Sequence, residues 1–158
     1  TEAALAASHW LAAGDSTPVE EAVRGVVRGA DAALARHATE AAVALLDGAR
    51  TALGGRLDDV TALVLDNAMA EALMRSGAVD EARAPAVLCA GKAKRLARPE
   101  LQVAAALTYG AEMVSGQVDP TMVRLLEGAL DGVSPENGDL RARILARLSF
   151  THLLAGYL

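Results

Sequence analysis

Apolar side chains recur at steps of three and four residues along most of the chain, the spacing that places them on one face of an α-helix. The clearest stretch is 58–76, with apolar positions at Leu63, Val64, Met69, Ala70, Leu73 and Met74. Gly77 suits the left-handed end of a helix, and Asp80 is suited to cap the next helix with its side-chain oxygen. Residues 58–96 are therefore predicted to form a helical hairpin, with helices over 58–76 and 81–96 and a turn at 77–80.

The same spacing predicts helices before and after this hairpin. Their approximate bounds are 2–13, 18–37, 39–53, 100–115, 120–133 and 139–154. Thr17 is placed to cap the second of them, with Pro18 at its first helical position and Glu20 completing a capping box. Pro120 begins a later helix, and Gly54-Gly55 end an earlier one. The chain is predicted to be all-α, with seven to eight helices.

Positions 40 residues apart carry similar side chains, which indicates an internal repeat. The aligned sets are Ala30, Ala70 and Gly110; Ala49, Cys89 and Ala129; Val23, Leu63 and Val103; Leu34, Met74 and Val114; Leu46, Ala86 and Leu126; and, less well, Ala42, Ala82 and Met122. The predicted turns agree, since they fall near His37, Gly77 and Gln117. We interpret the chain as a helical-repeat solenoid, with an irregular helix bundle as the alternative.

This interpretation gives one domain over residues 1–158, a length that fits a single core. It contains a lead-in helix (1–15), three repeats (18–54, 58–97 and 99–133) and a C-terminal capping helix (139–158). The composition agrees with helices, because Ala and Leu are plentiful and aromatic residues make up only 3% of the chain.

The net charge of −5 comes from mixed acidic and basic residues, without the basic stripe that nucleic acid requires. The densest basic stretch, Lys92, Lys94, Arg95 and Arg98, is typical of a solvated helix C-terminus; phosphate contact is the alternative. No apolar run approaches the roughly 18 residues of a membrane span. The single Cys89 permits no intrachain disulfide, so we expect a cytoplasmic protein that binds neither nucleic acid nor membrane.

No combination of residues indicates catalysis, a metal or a cofactor. His9, His37 and His152 lack metal-ligand spacing. Cys89 occupies a small-residue position of the repeat, which favours a packed side chain over a nucleophile. Ser8 and His9 are adjacent, and neighbours on a helix point in different directions. We expect a protein that is not an enzyme; a small helical enzyme is the rival from another class.

The motif Gly77-x-x-Asp80-Glu81-Ala82, with the small residues Ala70 and Cys89 seven positions outside it on either side, resembles a tetratricopeptide repeat. Segments 5–15, 99–107, 118–120, 125–130 and 140–148 are similar to the helical repeats of large actinobacterial ATP-binding LuxR-type regulators and related antibiotic-pathway activators. The resemblance implies a right-handed superhelix of antiparallel helical hairpins. The phosphate loop of that family is missing, as is a basic recognition helix, so the chain is expected to be a central segment of such a regulator.

In tetratricopeptide repeats the first helix of each hairpin lines a concave groove. The resemblance places in that groove Arg24, Val27 and Asp31; Val64, Asn67, Glu71 and Arg75; and Ala104, Leu107 and Ala111, with Leu34, Met74 and Leu107 as an apolar wall. The polar members of the middle repeat step by four and share one helix face, which fits either a solvated stripe or anchors for a partner. The expected partner is a protein or peptide, including other domains of the same polypeptide, or a small effector. A plain scaffold without an effector is the alternative, and pairing of two copies is left open.

Overall fold

The computed structural model describes residues 18–112 and 118–155. Within these ranges the chain forms helices and no strand. The helices are α1 (Val19–Leu34), α2 (Thr39–Leu53), α3 (Asp59–Arg75), α4 (Val79–Arg95), α5 (Pro99–Tyr109), α6 (Pro120–Gly132) and α7 (Gly138–Ala155), with a 3₁₀ turn at Gly54–Arg56. The all-α prediction is confirmed. The predicted lead-in helix and the turn near Gln117 lie outside the described residues.

The helices follow one another at a constant interval. The first five begin twenty residues apart, so every second helix begins 40 residues after its counterpart. Thr39 and Leu53 bound α2 as the sequence predicts, and α6 begins at the predicted Pro120. The 40-residue step found in the sequence is therefore the length of two helices with their turns.

Three helices end in the same left-handed turn. At the end of α3, Gly77 has φ of +87°, its N–H donates to the carbonyl of Met74, and the N–H of Ala78 donates to that of Leu73. These are the two hydrogen bonds of a Schellman motif. His37 after α1 and Ala97 after α4 have φ of 61° and 51° and make the equivalent pairs of bonds. The predicted turns at His37 and Gly77 are confirmed.

The predicted roles of Asp80 and Pro18 at the starts of their helices are wrong. Asp80 is the second residue of α4 rather than its cap, because the Schellman turn already reverses the chain by Ala78. Pro18 precedes α1 with extended ψ of 132° and does not occupy its first helical position. Thr17, its predicted cap, lies outside the described residues. Asp58, by contrast, caps α3, since its carboxylate accepts from the N–H groups of Val60 and Thr61.

Helix α5 is shorter than predicted. It ends at Tyr109, whereas apolar spacing alone extended it to residue 115. Gly110 follows with a non-helical backbone, and its carbonyl accepts a hydrogen bond from the Arg147 side chain. Glycine is a poor helix former, which favours a helix end at this position.

Residues at equivalent repeat positions are buried together. Every described member of the aligned sets is buried, including Gly110 and the less similar Met122. A methyl group added to Gly110 would lie 3.0 Å from Met122 Sδ, so the small residue at this position allows α5 and α6 to approach closely. The sequence repeat therefore indicates which face of each helix is buried.

The chain divides into two compact units, residues 1–82 and 83–158. In unit 1, α1, α2 and α3 all contact one another around a core that includes Val26, Leu46 and Leu65. In unit 2, α5, α6 and α7 do the same. Helix α4 begins in the first unit and ends in the second. No helix in the described part of the chain is long and apolar enough to cross a membrane.

Candidate functional site

The residues that the sequence assigns to a groove lie on three helices. Arg24 and Asp31 are on α1, whereas Asn67, Glu71, Met74 and Arg75 are on α3, all in unit 1. Leu107 is on α5 in unit 2. The structure brings three of them together at the C-terminal ends of α1 and α3. We call Asp31, Glu71 and Arg75 the Arg75 cluster.

Arg75 is the centre of this cluster. Its Nη1 lies 3.6 Å from Glu71 Oε1, one helical turn earlier, and its Nη2 donates to the carbonyl oxygen of Leu34 at 3.4 Å. The Arg75 and Glu71 side chains are 46% and 48% exposed, so both remain accessible to a partner. The guanidinium is thus fixed from the protein side and open on the solvent side.

Asp31, on α1, also interacts electrostatically with the Arg75 guanidinium. Partial burial raises the pKa of Asp31 above its ordinary value of 3.8, and the charge of Arg75 offsets part of that rise. A carboxylate whose pKa is raised destabilises the folded chain at neutral pH, because the charged form is better solvated in the unfolded chain. Asp31 is itself exposed, so its carboxylate is open to a partner.

The charge of the cluster indicates what it would attract. Glu71 pairs with the guanidinium, Asp31 interacts with it electrostatically, and the C-terminal end of α1 adds the partial negative charge of its helix dipole. The cluster therefore has an excess of negative charge at neutral pH. It suits a cationic group, such as an amine or guanidinium of a peptide or small molecule.

The other predicted groove residues of unit 1 are placed differently. Arg24 pairs with Glu20 on the exposed surface of α1, with a distance of 2.8 Å between Nη2 and Oε1. Leu34 and Met74, expected to form an apolar wall, are only 2% and 4% exposed. Asn67 is buried as well. These three side chains are covered by the protein itself, so the accessible polar face is smaller than the sequence suggests.

No protein-family model, curated protein or solved structure matches the chain. The likeness to tetratricopeptide regulators therefore rests on the sequence motifs alone.

Leu107 belongs to a separate site in unit 2. A cavity of about 570 Å³ lies between α5 and α7, and the residues that line it are Leu107, Arg143, Ala146, Arg147 and Phe150. The four residues of α7 follow one another at steps of three, one and three, so they form one stripe of that helix. Sequence reasoning missed this stripe because it treated α7 as a cap for the repeats. The signal that would have revealed it is the absence of acidic residues after Asp139.

Unit 2 also contains a polar network that joins α5 to α6. Tyr109 donates from its hydroxyl to Asp119 Oδ2 at 2.8 Å, and Asp119 also caps α6 by accepting from the N–H groups of Thr121 and Met122. The Arg83 guanidinium lies 5.4 Å from the centre of the Tyr109 ring. The Tyr109–Asp119 bond fixes the end of α5 against the start of α6.

The electrostatics of this network follow from its hydrogen bonds. Burial alone would raise the pKa of Asp119, but the bonds from Tyr109 and from the two main-chain N–H groups bring it below 3.8. Burial, followed by the bond to Asp119, raises the pKa of Tyr109 above 10. The pair is therefore held as a neutral phenol donating to a carboxylate.

The described cysteine and histidine side chains that were candidates for catalysis or metal binding, Cys89 and His37, lie in positions that need no such role. Cys89 is buried, as its small-residue repeat position predicts. His37 is exposed in the turn after α1. Over residues 18–112 and 118–155, no three His, Cys, Asp or Glu side chains are grouped closely enough to hold a metal ion. His9 lies outside these ranges.

Proposed function

We propose that this chain is a non-enzymatic, tetratricopeptide-like interaction or sensor segment of a bacterial transcription regulator. Its helices would stack as a right-handed superhelix in the complete protein, with a partner bound on the face that carries the Arg75 cluster. Support for the repeat comes from helices that begin twenty residues apart and from burial that recurs every 40 residues. The sequence motifs support the regulator.

One observation carries the proposal of a binding site. Asp31 and Arg75, assigned to a groove from different repeats, interact electrostatically at adjacent helix ends, and Glu71 pairs with the same guanidinium. A solvated stripe on one helix would not require residues of another helix beside it. The cluster combines a fixed cation with two accessible carboxylates, which is the arrangement that binds a cationic group with a defined orientation.

The mechanism would be a shift between two states of the regulator. A partner that contacts both Asp31 on α1 and Glu71 on α3 favours the arrangement in which these helix ends are adjacent. Such a partner changes the equilibrium only by its difference in affinity for the two states. A plain scaffold would bind through the same surface without this difference.

The test is a thermal-shift series with defined cationic probes: arginine-containing tripeptides, agmatine and spermidine. A probe at 100 times its Kd stabilises the chain by about 2.7 kcal/mol, or about 5 to 10 °C for a domain of this size. The proposal expects a shift that is lost in Asp31→Asn and in Glu71→Gln. Asp47→Asn, which removes the same charge from the exposed face of α2, should retain the shift.

Two results would overturn the assignment of the site. The first is no shift with any cationic probe. The second is an equal shift in wild type, Asp31→Asn and Glu71→Gln, because the probe would then respond to the net charge of −5 and not to the cluster. A site-dependent shift that leaves activity of the complete regulator unchanged would favour the scaffold over the sensor.

A further inference from the structure

The cavity between α5 and α7 has the composition of a ligand site. Its volume of about 570 Å³ lies within the range of roughly 300 to 1,000 Å³ typical of small-molecule pockets. One part of its lining is apolar, with Leu107 and Phe150, and another part carries the guanidiniums of Arg143 and Arg147. We infer that this cavity binds a small carboxylate with an apolar tail.

The positive charge of the cavity lining favours an anionic ligand. Over residues 18–112 and 118–155, no acidic side chain lines the cavity, and neither Arg143 nor Arg147 forms an ion pair with a carboxylate. This is unusual in a chain with a net charge of −5, because α7 carries three arginines and one acid, Asp139. The third arginine, Arg141, is used elsewhere, since it donates to the carbonyls of Leu130 and Val133 at the end of α6.

One of the two guanidiniums is positioned in advance. Arg147 donates from Nη1 to the carbonyl oxygen of Gly110, the residue that ends α5. A guanidinium has five N–H donors, and a carbonyl occupies one of them without neutralising the charge. Arg147 is therefore held at the cavity with its charge uncompensated, while Arg143, one helical turn away, is exposed and free to close on a ligand. Paired guanidiniums match the planar geometry of a carboxylate.

The apolar part of the cavity lining favours a ligand with a hydrocarbon tail. Phe150 is 47% exposed although phenylalanine is one of the most hydrophobic side chains, and it is the single phenylalanine of the sequence. Leu107 of α5 is half-buried in the same lining. A hydrocarbon chain laid over these two side chains would remove apolar surface from water, which contributes roughly 25 cal/mol per Å². A purely inorganic anion would leave that surface exposed.

This inference deepens the proposed function by naming a class of effector. The cavity lies in unit 2, whereas the cationic probes of the preceding test address the Arg75 cluster of unit 1. A negative result for one of the two sites therefore leaves the proposal for the other site intact. Binding at the cavity would also provide a direct contact with Arg147, whose other bond fixes the end of α5.

The experiment titrates the protein with octanoate below its micellar concentration and follows binding by calorimetry. The matched probes are 1-octanol, which lacks the charge, and butanoate, which lacks most of the tail. Octanoate should bind about tenfold or more tightly than either, because 1-octanol forms no charge-assisted hydrogen bond with the guanidiniums and butanoate buries four fewer methylene groups.

Variants locate the site. Arg143→Gln should weaken octanoate about tenfold or more, whereas Arg36→Gln, which removes the same charge from the exposed end of unit 1, should leave the affinity unchanged. Phe150→Ala should reduce the difference between octanoate and butanoate. Arg143→Lys provides a variant that keeps the charge and the helix, and it should bind octanoate with intermediate affinity because the bidentate geometry is lost.

The inference would be overturned by the absence of saturable octanoate binding. It would also be overturned if 1-octanol bound as tightly as octanoate, or if Arg143→Gln and Arg36→Gln had the same effect. In the first case the cavity is a packing feature of α5 and α7. In the other cases the chain binds hydrocarbon without recognising an anion at Arg143.

Discussion

Arg75 on α3 donates a hydrogen bond from Nη2 to the main-chain oxygen of Leu34, the last residue of α1, 3.4 Å away. Unit 2 contains a counterpart, because Arg147 on α7 donates to the main-chain oxygen of Gly110 at the end of α5. The last carbonyls of a helix have no partner within the helix and carry its partial negative charge. In both units a guanidinium from the next helix but one adds a charged donor and a compensating charge at that helix end.

The first prediction concerns this bond. Arg75→Ala should lower the free energy of unfolding by about 1 kcal/mol, because the Leu34 carbonyl loses a charged donor that is itself half exposed. Arg24→Ala removes an exposed i,i+4 ion pair with Glu20 and should change stability by less than about 0.5 kcal/mol. Urea denaturation at constant m-value measures both. Equal losses in the two variants would show that the Leu34 bond contributes nothing beyond the charge.

The second prediction concerns the left-handed turn at Gly77. Gly77→Ala should destabilise by about 1 to 2 kcal/mol, the penalty for an L-residue in this conformation. A Cβ at this position would meet no atom within 4 Å, so the whole effect comes from the backbone. Gly77→Val should destabilise more, because β-branching adds to the strain at positive φ. An unchanged melting temperature in the valine variant would contradict the turn.

Ala97 offers the opposite substitution at an equivalent turn. Its φ is 51°, and its N–H and that of Arg98 make the same pair of bonds as those after α3. Ala97→Gly should therefore raise the free energy of unfolding by about 0.5 to 1 kcal/mol, since relief of the strain exceeds the entropy that glycine adds to the unfolded chain. Thermal unfolding of Ala97→Gly and Gly77→Ala should show shifts of opposite sign, and shifts of the same sign would rule out a shared conformation.

The fourth prediction separates two adjacent aspartates. Asp58 Oδ1 accepts from the N–H groups of Val60 and Thr61 at 3.0 and 2.7 Å, and from the Thr61 hydroxyl at 2.8 Å. Asp58→Ala should lower stability by about 1 kcal/mol through loss of the cap. Asp59→Ala, which removes a first-turn charge only, should cost about 0.3 kcal/mol. Denaturant midpoints in the reverse order would reassign the cap to Asp59.

The fifth prediction is a pH dependence. The pKa of Asp119 is lower in the folded chain than its ordinary 3.8, so its contribution to stability is complete above pH 3.8 and is lost as pH falls through the folded pKa. The pKa of Tyr109 is raised above 10.0, so its contribution is complete below pH 10 and is lost at higher pH. Tyr109→Phe removes one bond from Asp119 and should flatten both limbs of the stability profile.

The measurement for this fifth prediction is denaturant unfolding of wild type and Tyr109→Phe over the same pH series. The difference in unfolding free energy should be largest near neutral pH, at about 1 kcal/mol, and should shrink at both extremes. Parallel profiles at all pH values would show that the Tyr109 hydroxyl and Asp119 do not interact in solution.

Local signals predicted most of the helix boundaries. Thr39 and Gly54 bracket α2, Asp58 caps α3, and Pro120 begins α6, each for a reason that operates within a few residues. The buried face was also predictable, because the 40-residue repeat identifies positions that pack in the same way, such as Val23 and its equivalents. Local residue preferences and the repeat period are therefore sufficient to predict helix boundaries and buried faces that depend on residues close in sequence.

The remaining features depend on residues distant in sequence. The early end of α5 involves a carbonyl bond from Arg147, 37 residues later, and no local pattern contains that information. Ala97 takes a left-handed conformation although alanine gives no signal for it. In the candidate site, the resemblance to tetratricopeptide repeats assigned Asp31 and Arg75 to a groove, whereas the burial of Met74 and the cavity beside Phe150 depend on how side chains meet across helices.

The regular spacing of the helices constrains how such a chain can change in length during evolution. Short turns separate the helices of unit 1, and helices joined by such short turns are expected to run in opposite directions. Duplication of one helix with its turn would leave every later helix reversed, with its apolar face towards solvent. Duplication of two restores both direction and face. Homologous chains should therefore differ by whole helix pairs, or by single residues in loops such as the one before α6, and not by insertions within a helix.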